Sequence, residues 1–288
     1  MTAPRLSFEF FPPNSLEASF RLWDTVRTLA PLGPEFVSVT YGAGGTTREL
    51  THDAVKTIGA HYGLNVAAHL TCVEATSEET LEIAKGYADA GVKEIVALRG
   101  DAPKGAAAFT AHPDGFSNSC ELISALADMN SFHIRVGAYP DPHPEAHSAG
   151  ADVDWLKRKI DAGANSAITQ FFFEADTFFR FRDSCAAAGI TAPIIPGILP
   201  IENWKGAGKF ANRCGTKVPA WLSEAFETAI RDDRHDLLAV ALCSELCSEL
   251  IDGGVEDLHF YTLNKPHLTR DVTRALGIMP EEALRDVA

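Results

Sequence analysis

Residues Ile134–Phe173, IRVGAYPDPHPEAHSAGADVDWLKRKIDAGANSAITQFFF, read as strand, long polar loop, helix and strand. Ile134–Ala138 is a short apolar run, and Asp141-Pro142 and His143-Pro144 then forbid regular structure. A helix is predicted from about Asp152, ending at Gly163 as a left-handed cap. Ala167–Phe173 is a second buried run, rich in aromatics. The loop lies at the carboxyl end of a strand, where α/β folds place their chemistry. It carries Tyr139, Asp141, His143, Glu145 and His147, and Asp152 and Lys159 share one face of the helix that follows. This is the pattern of a ligand site.

The same unit recurs along the chain. Ser7–Phe11 is a strand closed by Pro12-Pro13, and Ser15–Ala30 a helix with Leu16, Phe20, Trp23, Val26 and Ala30 along one side. Strands follow at Phe36–Thr40, Asn65–Leu70 and Glu94–Leu98, with capping boxes at Thr46/Glu49 and Thr76/Glu79 opening the intervening helices. Helices at about Ser119–Met129 and Thr177–Ala188 and a seventh strand at Ile194–Gly197 continue the alternation. After Pro200 three helices, at about Asn203–Asn212, Pro219–Ile230 and Asp236–Asp252, precede a last strand at Leu258–Thr262 and a helix at Thr269–Leu276.

Strand-helix alternation implies a parallel sheet, because parallel neighbours need crossover connections. About eight such units favour a closed α/β barrel, the (β/α)8 or TIM barrel, over an open doubly wound sheet. The expected architecture is therefore one barrel domain over residues 1–288, with extra helices between strands seven and eight.

Composition narrows the function. The chain has 288 residues, 46% of them hydrophobic, and a formal net charge of −14, which argues against a nucleic-acid backbone as partner. No apolar run is long enough to span a membrane, and the N-terminus lacks a signal-peptide pattern, so a cytoplasmic protein is expected. Six scattered cysteines without a C-x-x-C are expected to be reduced.

Polar residues recur at strand ends in register: Glu9 inside strand one, Thr40-Tyr41 after strand two, His69 and Thr71 at strand three, Arg99-Gly100-Asp101 after strand four, Tyr139 after strand five and Gln170 in strand six. In a barrel they converge on one mouth. Glu9, between Phe8 and Phe10, is the sharpest case. Desolvation would raise its pKa and leave a neutral acid able to donate a proton. The alternative is an ion pair with an Arg or Lys inside the barrel. Tyr41-Gly-Ala-Gly-Gly45 lacks the third glycine of a dinucleotide fingerprint, with Thr47 in its place. His143-Pro-Glu-Ala-His147 has neither the glutamate position nor the helix of a zinc motif, and no metal is expected.

With these residues laid out, the chain resembles the methylenetetrahydrofolate reductases of the bacterial single-domain type. The resemblance rests on SFEFFPP (7–13), VSVTYGAGG (37–45), HLTC (69–72), ALRGD (97–101), AYPDPHPEAH (138–147), LKRKIDAGANSAITQFFF (156–173), IIPGILPI (194–201) and HFYTLN (259–264). It implies a barrel that binds FAD tightly and reduces 5,10-methylenetetrahydrofolate to 5-methyltetrahydrofolate with NADH or NADPH, in ping-pong fashion. By the same match Glu9 is the general acid that helps open the methylene bridge. Asp101 lies between flavin and pterin, Gln170 bonds the pterin, Phe210 stacks on either substrate and Lys265 meets the folate tail. Flavin contacts fall on Thr40, Tyr41, Ala43, His69, Arg99, Gly100, Asp101, Tyr139, His143, Ala146, Asp152, Arg158 and Lys159. Trp155, Phe116 and Lys265 depart from residues that relatives carry as Asn, Tyr and Arg. The family tends to oligomerise, so a homo-oligomer is expected. Two rivals keep part of this picture: direct hydride transfer without flavin, and a non-catalytic folate or flavin carrier, which would have no need of a buried acid at Glu9.

Overall fold

A computed structural model describes residues 3–41, 48–101, 109–148 and 150–280. Among them nine strand segments run as one parallel sheet: β1 (Arg5–Phe10), β2 (Phe36–Val39), β3 (Val66–Thr71), β4 (Glu94–Leu98), β5 (His133–Ala138), β6 (Ser166–Thr169), β7 (Ile194–Ile195), β8 (Gly197–Ile198) and β9 (Asp257–Tyr261). Each strand from β1 to β6 pairs with the next in sequence, and β1 also pairs with β9. The fold is the expected α/β barrel, nearly closed.

Closure differs in one detail from the sequence reading. The predicted seventh strand is two short segments split by Pro196, which has no N–H to give a ladder. Before it Ile194 and Ile195 pair with Ala167 and Ile168 of β6, and after it Gly197 and Ile198 pair with His259 and Phe260 of β9. One five-residue stretch thus joins both edges. The junction is tight at Gly197, where an added Cβ would lie 2.1 Å from the Thr169 carbonyl oxygen and 2.5 Å from the Tyr261 ring.

Side-chain alternation divides the strands into two cores. Outward residues such as Phe8, Phe10, Val37, Leu70, Ile95 and Val136 pack against the surrounding helices. These include α1 (Leu16–Leu29), α3 (Ser77–Asp89), α4 (Ser119–Asp128) and α5 (Ala151–Asp161). Burying a side chain such as Phe8 contributes about 1.5–3 kcal/mol. Inward residues Phe36, Ala67, Val96, Ile168 and Ile195 fill the barrel itself. At its lower end Arg135 donates to Glu94 Oε2 at 2.7 Å and lies 3.7 Å above the Phe36 ring, so this charge is both paired and stacked.

Local signals hold at the start of α3 but only in part along α1, where Leu16 and Phe20 of the expected apolar side are exposed and Leu22, Val26 and Leu29 face the core. Thr76 Oγ1 accepts from the Glu79 N–H at 3.1 Å and Glu79 Oε2 from the Thr76 N–H at 2.9 Å, a complete capping box for α3. The Thr46/Glu49 box involves Thr46, which lies outside the described residues, as does Ala43. Gln170 lies one residue beyond β6 rather than inside it, although its N–H still reaches the Ala138 carbonyl at 2.7 Å. Between β8 and β9 stand the three extra helices, α7 (Trp204–Cys214), α8 (Ala220–Arg231) and α9 (His235–Asp252), and α10 (Pro266–Ala275) follows β9. α7 and α8 build a second apolar cluster with Phe171 and Leu199 over one side of the barrel mouth. All six cysteines are unbonded. Among the described residues no helix is long and apolar enough to cross a membrane.

Candidate active site

Two neighbouring cavities open at the carboxyl ends of the strands. The larger, about 1040 Å³, is lined by residues that include Glu9, Thr40, His69, Gln170, Phe210 and Lys265. The smaller, about 360 Å³, is lined by Arg99, Gly100, Glu145, Ala146, Asp152 and Lys159, among others. Tyr41, Asp101, Tyr139 and His143 line both, so the two form one continuous mouth. A third cavity, of about 660 Å³, lies away from this mouth between α6 (Ala175–Ala187), α8 and α9.

Strand register brings the acid into place. Glu9 pairs with Tyr261, and Ser7 with His259, so these four side chains point into the barrel while Phe8 and Phe10 point out. Glu9 keeps 15% of its side chain exposed, facing the larger cavity. Its Oε2 lies 3.5 Å from His69 Nε2 and 4.0 Å from His259 Nε2. Burial pushes the Glu9 pKa up, and His69 opposes this only in part. Burial also lowers His69, and it lowers His259 to about 3, with the Arg135 cation adding to the effect. Both imidazoles are therefore uncharged near pH 7, and the Glu9 carboxyl is shifted toward its protonated form. Among the described residues no Arg or Lys pairs with Glu9, the alternative open from sequence; two uncharged imidazoles stand beside it. His259, whose Nδ1 lies 2.8 Å from Ser7 Oγ, belongs to the HFYTLN segment, and its place beside Glu9 is visible only in the fold.

The smaller cavity brings two cations, Lys159 and Arg99, to one wall. Lys159 is buried, its Nζ donates to the Gly137 carbonyl at 2.7 Å, and desolvation lowers its pKa to about 8. Arg99 donates from Nη1 to Glu145 Oε2 at 2.6 Å and lies 4.9 Å from the Phe109 ring centre. Gly100, next to Arg99 in the chain, allows close approach: its φ is +90°, and a Cβ there would lie 3.0 Å from the Val73 side chain. The loop after β5 is shaped by the Asp152 carboxylate, which accepts from the His143 N–H at 3.0 Å, and by the edge-on Tyr139–His143 contact at 4.7 Å.

Of the residues predicted for the site, the fold brings all but two to this mouth. Ala43 lies outside the described residues, and Arg158 lines neither cavity, standing exposed with its guanidinium 5.7 Å from the Trp155 ring centre. Trp155 itself lines the smaller cavity. Phe116, the second departure, is buried and lines neither. Residues that the sequence reading missed include Arg213 and Tyr261 in the larger cavity. Tyr261 donates to the Thr169 carbonyl at 2.6 Å and stands edge-on to His259.

The mouth fits an elongated flavin nucleotide. The larger cavity has an apolar inner wall of Val96, Leu98 and Ile168, and the smaller one offers Arg99 and Lys159 to a diphosphate. Among the described residues His69 Nε2 in one lining and Thr71 Oγ1 in the other are buried without hydrogen-bond partners, polar atoms that a ligand would satisfy.

Residues 2–277 match the family model described as methylenetetrahydrofolate reductase. The chain is 44% identical to the 5,10-methylenetetrahydrofolate reductase of Escherichia coli (strain K12) over 276 residues, 96% of this chain and 91% of that one. It is 34% identical over 291 residues to a probable methylenetetrahydrofolate reductase (NADH) of Oryza sativa subsp. japonica, covering 96% of this chain and 49% of the longer rice protein. Among solved structures, an uncharacterized protein from Clostridium thermocellum that binds two copies of 5-methyl-5,6,7,8-tetrahydrofolic acid shares the fold. It has a TM-score of 0.61 at 15% identity, over 96% of this chain and 94% of that one. A family match along nearly the whole sequence, with the family's motif residues gathered at one barrel mouth, places this chain in the methylenetetrahydrofolate reductase family.

Proposed function

We propose that the protein reduces 5,10-methylenetetrahydrofolate to 5-methyltetrahydrofolate, using a tightly bound FAD and NADH or NADPH as hydride donor, with the two substrates taking turns at one site. The observation that carries this reading is the Glu9 carboxyl, buried against neutral His69 and facing a cavity large enough for a pterin.

A bound flavin supplies the hydride acceptance and donation, which no side chain can provide. The residues have the remaining tasks. Burial favours the protonated form of Glu9, which delivers its proton to the methylene-bridge nitrogen as the carbon–nitrogen bond breaks. This nitrogen thus leaves as a neutral amine rather than an anion, and the iminium cation formed faces the Glu9 carboxylate. Gln170, just past β6, presents an amide to the pterin edge, and Phe210 offers a ring face from α7. Asp101 lines both cavities and so faces the junction between cofactor and substrate. Lys265 meets the folate tail with a point charge rather than the fork of an arginine. Arg99 and Lys159 hold the diphosphate, and Thr40, Tyr41, Ala43, His69, Gly100, Tyr139, His143, Ala146, Asp152 and Arg158 complete the flavin contacts. We read residues 1–288 as one domain of a cytoplasmic homo-oligomer.

The test is an absorption spectrum of the purified protein, taken anaerobically before and after NADH or NADPH and then after 5,10-methylenetetrahydrofolate. Flavin bands that bleach with the nucleotide and return with the folate support both half-reactions. A colourless protein that takes up no added FAD overturns the flavin assignment.

A further inference from the structure

The larger cavity carries a cation for which the proposed chemistry has no task. Arg213 lies on α7 one turn after Phe210, with its guanidinium 5.1 Å from the centre of that ring. The same ring packs 5.1 Å from Phe171, so the arginine is held on an aromatic wall rather than swinging freely. Most arginines of this acidic chain pair with carboxylates, as Arg99 does with Glu145 and Arg135 with Glu94. Among the described residues Arg213 pairs with none; its neighbours are the Phe210 ring and the Cys214 thiol. Lys265, the other permanently charged cation of this lining, lies close enough to the Glu202 carboxyl to act on it, so its charge toward a ligand is partly offset. A guanidinium laid on a ring keeps its N–H edge open, and that edge suits a planar carboxylate or a phosphate.

We propose that Arg213 is a substrate-binding residue that reads an anionic group of whichever molecule fills the larger cavity, a carboxylate of the folate tail or a phosphate of the nicotinamide nucleotide. This rests on the function proposed above. It makes the wall that stacks a substrate also the wall that reads its charge.

The experiment measures equilibrium dissociation constants on the flavin-loaded enzyme at low and high salt, for wild type, Arg213→Gln and Arg213→Lys. The ligands are 5-methyltetrahydrofolate, a tetrahydropteroate analogue without the glutamate tail, NADH and NADPH. Arg213 is exposed, so neither variant disturbs the core. The expected result is a loss of about tenfold for one ligand class in Arg213→Gln, a weaker salt dependence and a smaller loss in Arg213→Lys. If the folate weakens while the tail-less analogue does not, the tail carboxylate is the group read. If the nucleotides weaken, a phosphate is read. Unchanged constants for every ligand overturn the proposal, as does an equal loss for all four with unchanged salt dependence, which would mean only a displaced Phe210. A wild-type enzyme that binds neither folate nor nucleotide would remove the proposed function itself, a result distinct from an indifferent variant.

Discussion

The Glu9 carboxyl lies 3.5 Å from His69 Nε2, and burial drives both groups toward their uncharged forms. The contact is therefore biased away from an ion pair, toward a protonated carboxyl beside an uncharged imidazole. Replacing Glu9 with Gln keeps size and polarity but removes that proton. Glu9→Gln is expected to retain its fold and bound flavin, to be reduced normally by the nicotinamide nucleotide, and to lose about 10²- to 10⁴-fold in folate reduction. Rapid-mixing absorbance of the two half-reactions checks this, and near-normal folate turnover would remove Glu9 as the acid.

His259 governs stability on the acid side. Its folded pKa is lowered from 6.5 to about 3, so its contribution is complete above pH 6.5 and is lost as pH falls through that interval. The full interval corresponds to roughly 5 kcal/mol as an upper limit. Glu9 acts with the opposite sign: its pKa is raised, so stability is highest below the ordinary carboxylate range and declines as pH rises through the raised value. Urea unfolding from pH 7 to pH 4 is expected to show a steep fall that His259→Gln flattens. A parallel curve for that variant contradicts the assignment.

Lys159 predicts a pH limit on flavin retention. Its pKa is lowered to about 8 in the buried, unliganded state, and a diphosphate beside it raises that value. Below about 8 the protein presents a cation to the incoming nucleotide, and above it the attraction fades. The rate and affinity of FAD uptake by stripped protein should drop as pH rises past about 8. Lys159→Met should bind FAD about tenfold or more weakly and show no such slope. Fluorescence titration at several pH values measures both.

Gly197 should be intolerant of any side chain. A Cβ would meet the Thr169 carbonyl at 2.1 Å and the Tyr261 ring at 2.5 Å, where backbone and a hydrogen-bonded tyrosine have little room to yield. Gly197→Ala is expected to destabilise by about 3 kcal/mol or more, because it forces apart the segment that joins β6 to β9. Thermal unfolding measures the loss. A variant as stable as wild type would show that the barrel closes less tightly here than these distances require.

Much of this architecture was legible in the chain. Short apolar runs such as FVSV and EIVAL, each followed by a helix, dictate parallel pairing because the connection is too long for a hairpin. Alternation around Glu9 placed the carboxyl inside while Phe8 and Phe10 face the helices, and the structure agrees. The split at Pro196 was also written locally, since a residue without an N–H cannot sit within a continuous ladder. It was read as part of one strand because the segment is hydrophobic on both sides.

Sequence by itself determined the strands, the helices, the inward set of polar residues and the family motifs, since these depend on spacing within a few residues of one another. Tertiary structure alone decided which groups face Glu9. His69 is sixty residues away along the chain and His259 two hundred and fifty, and only the β1–β9 and β1–β2–β3 registers bring them within 4.0 Å. The same holds for Arg135 over Phe36 and for Arg213 against the cavity wall. Protonation state depends on burial and on charges across the barrel, and neither is a property of local sequence.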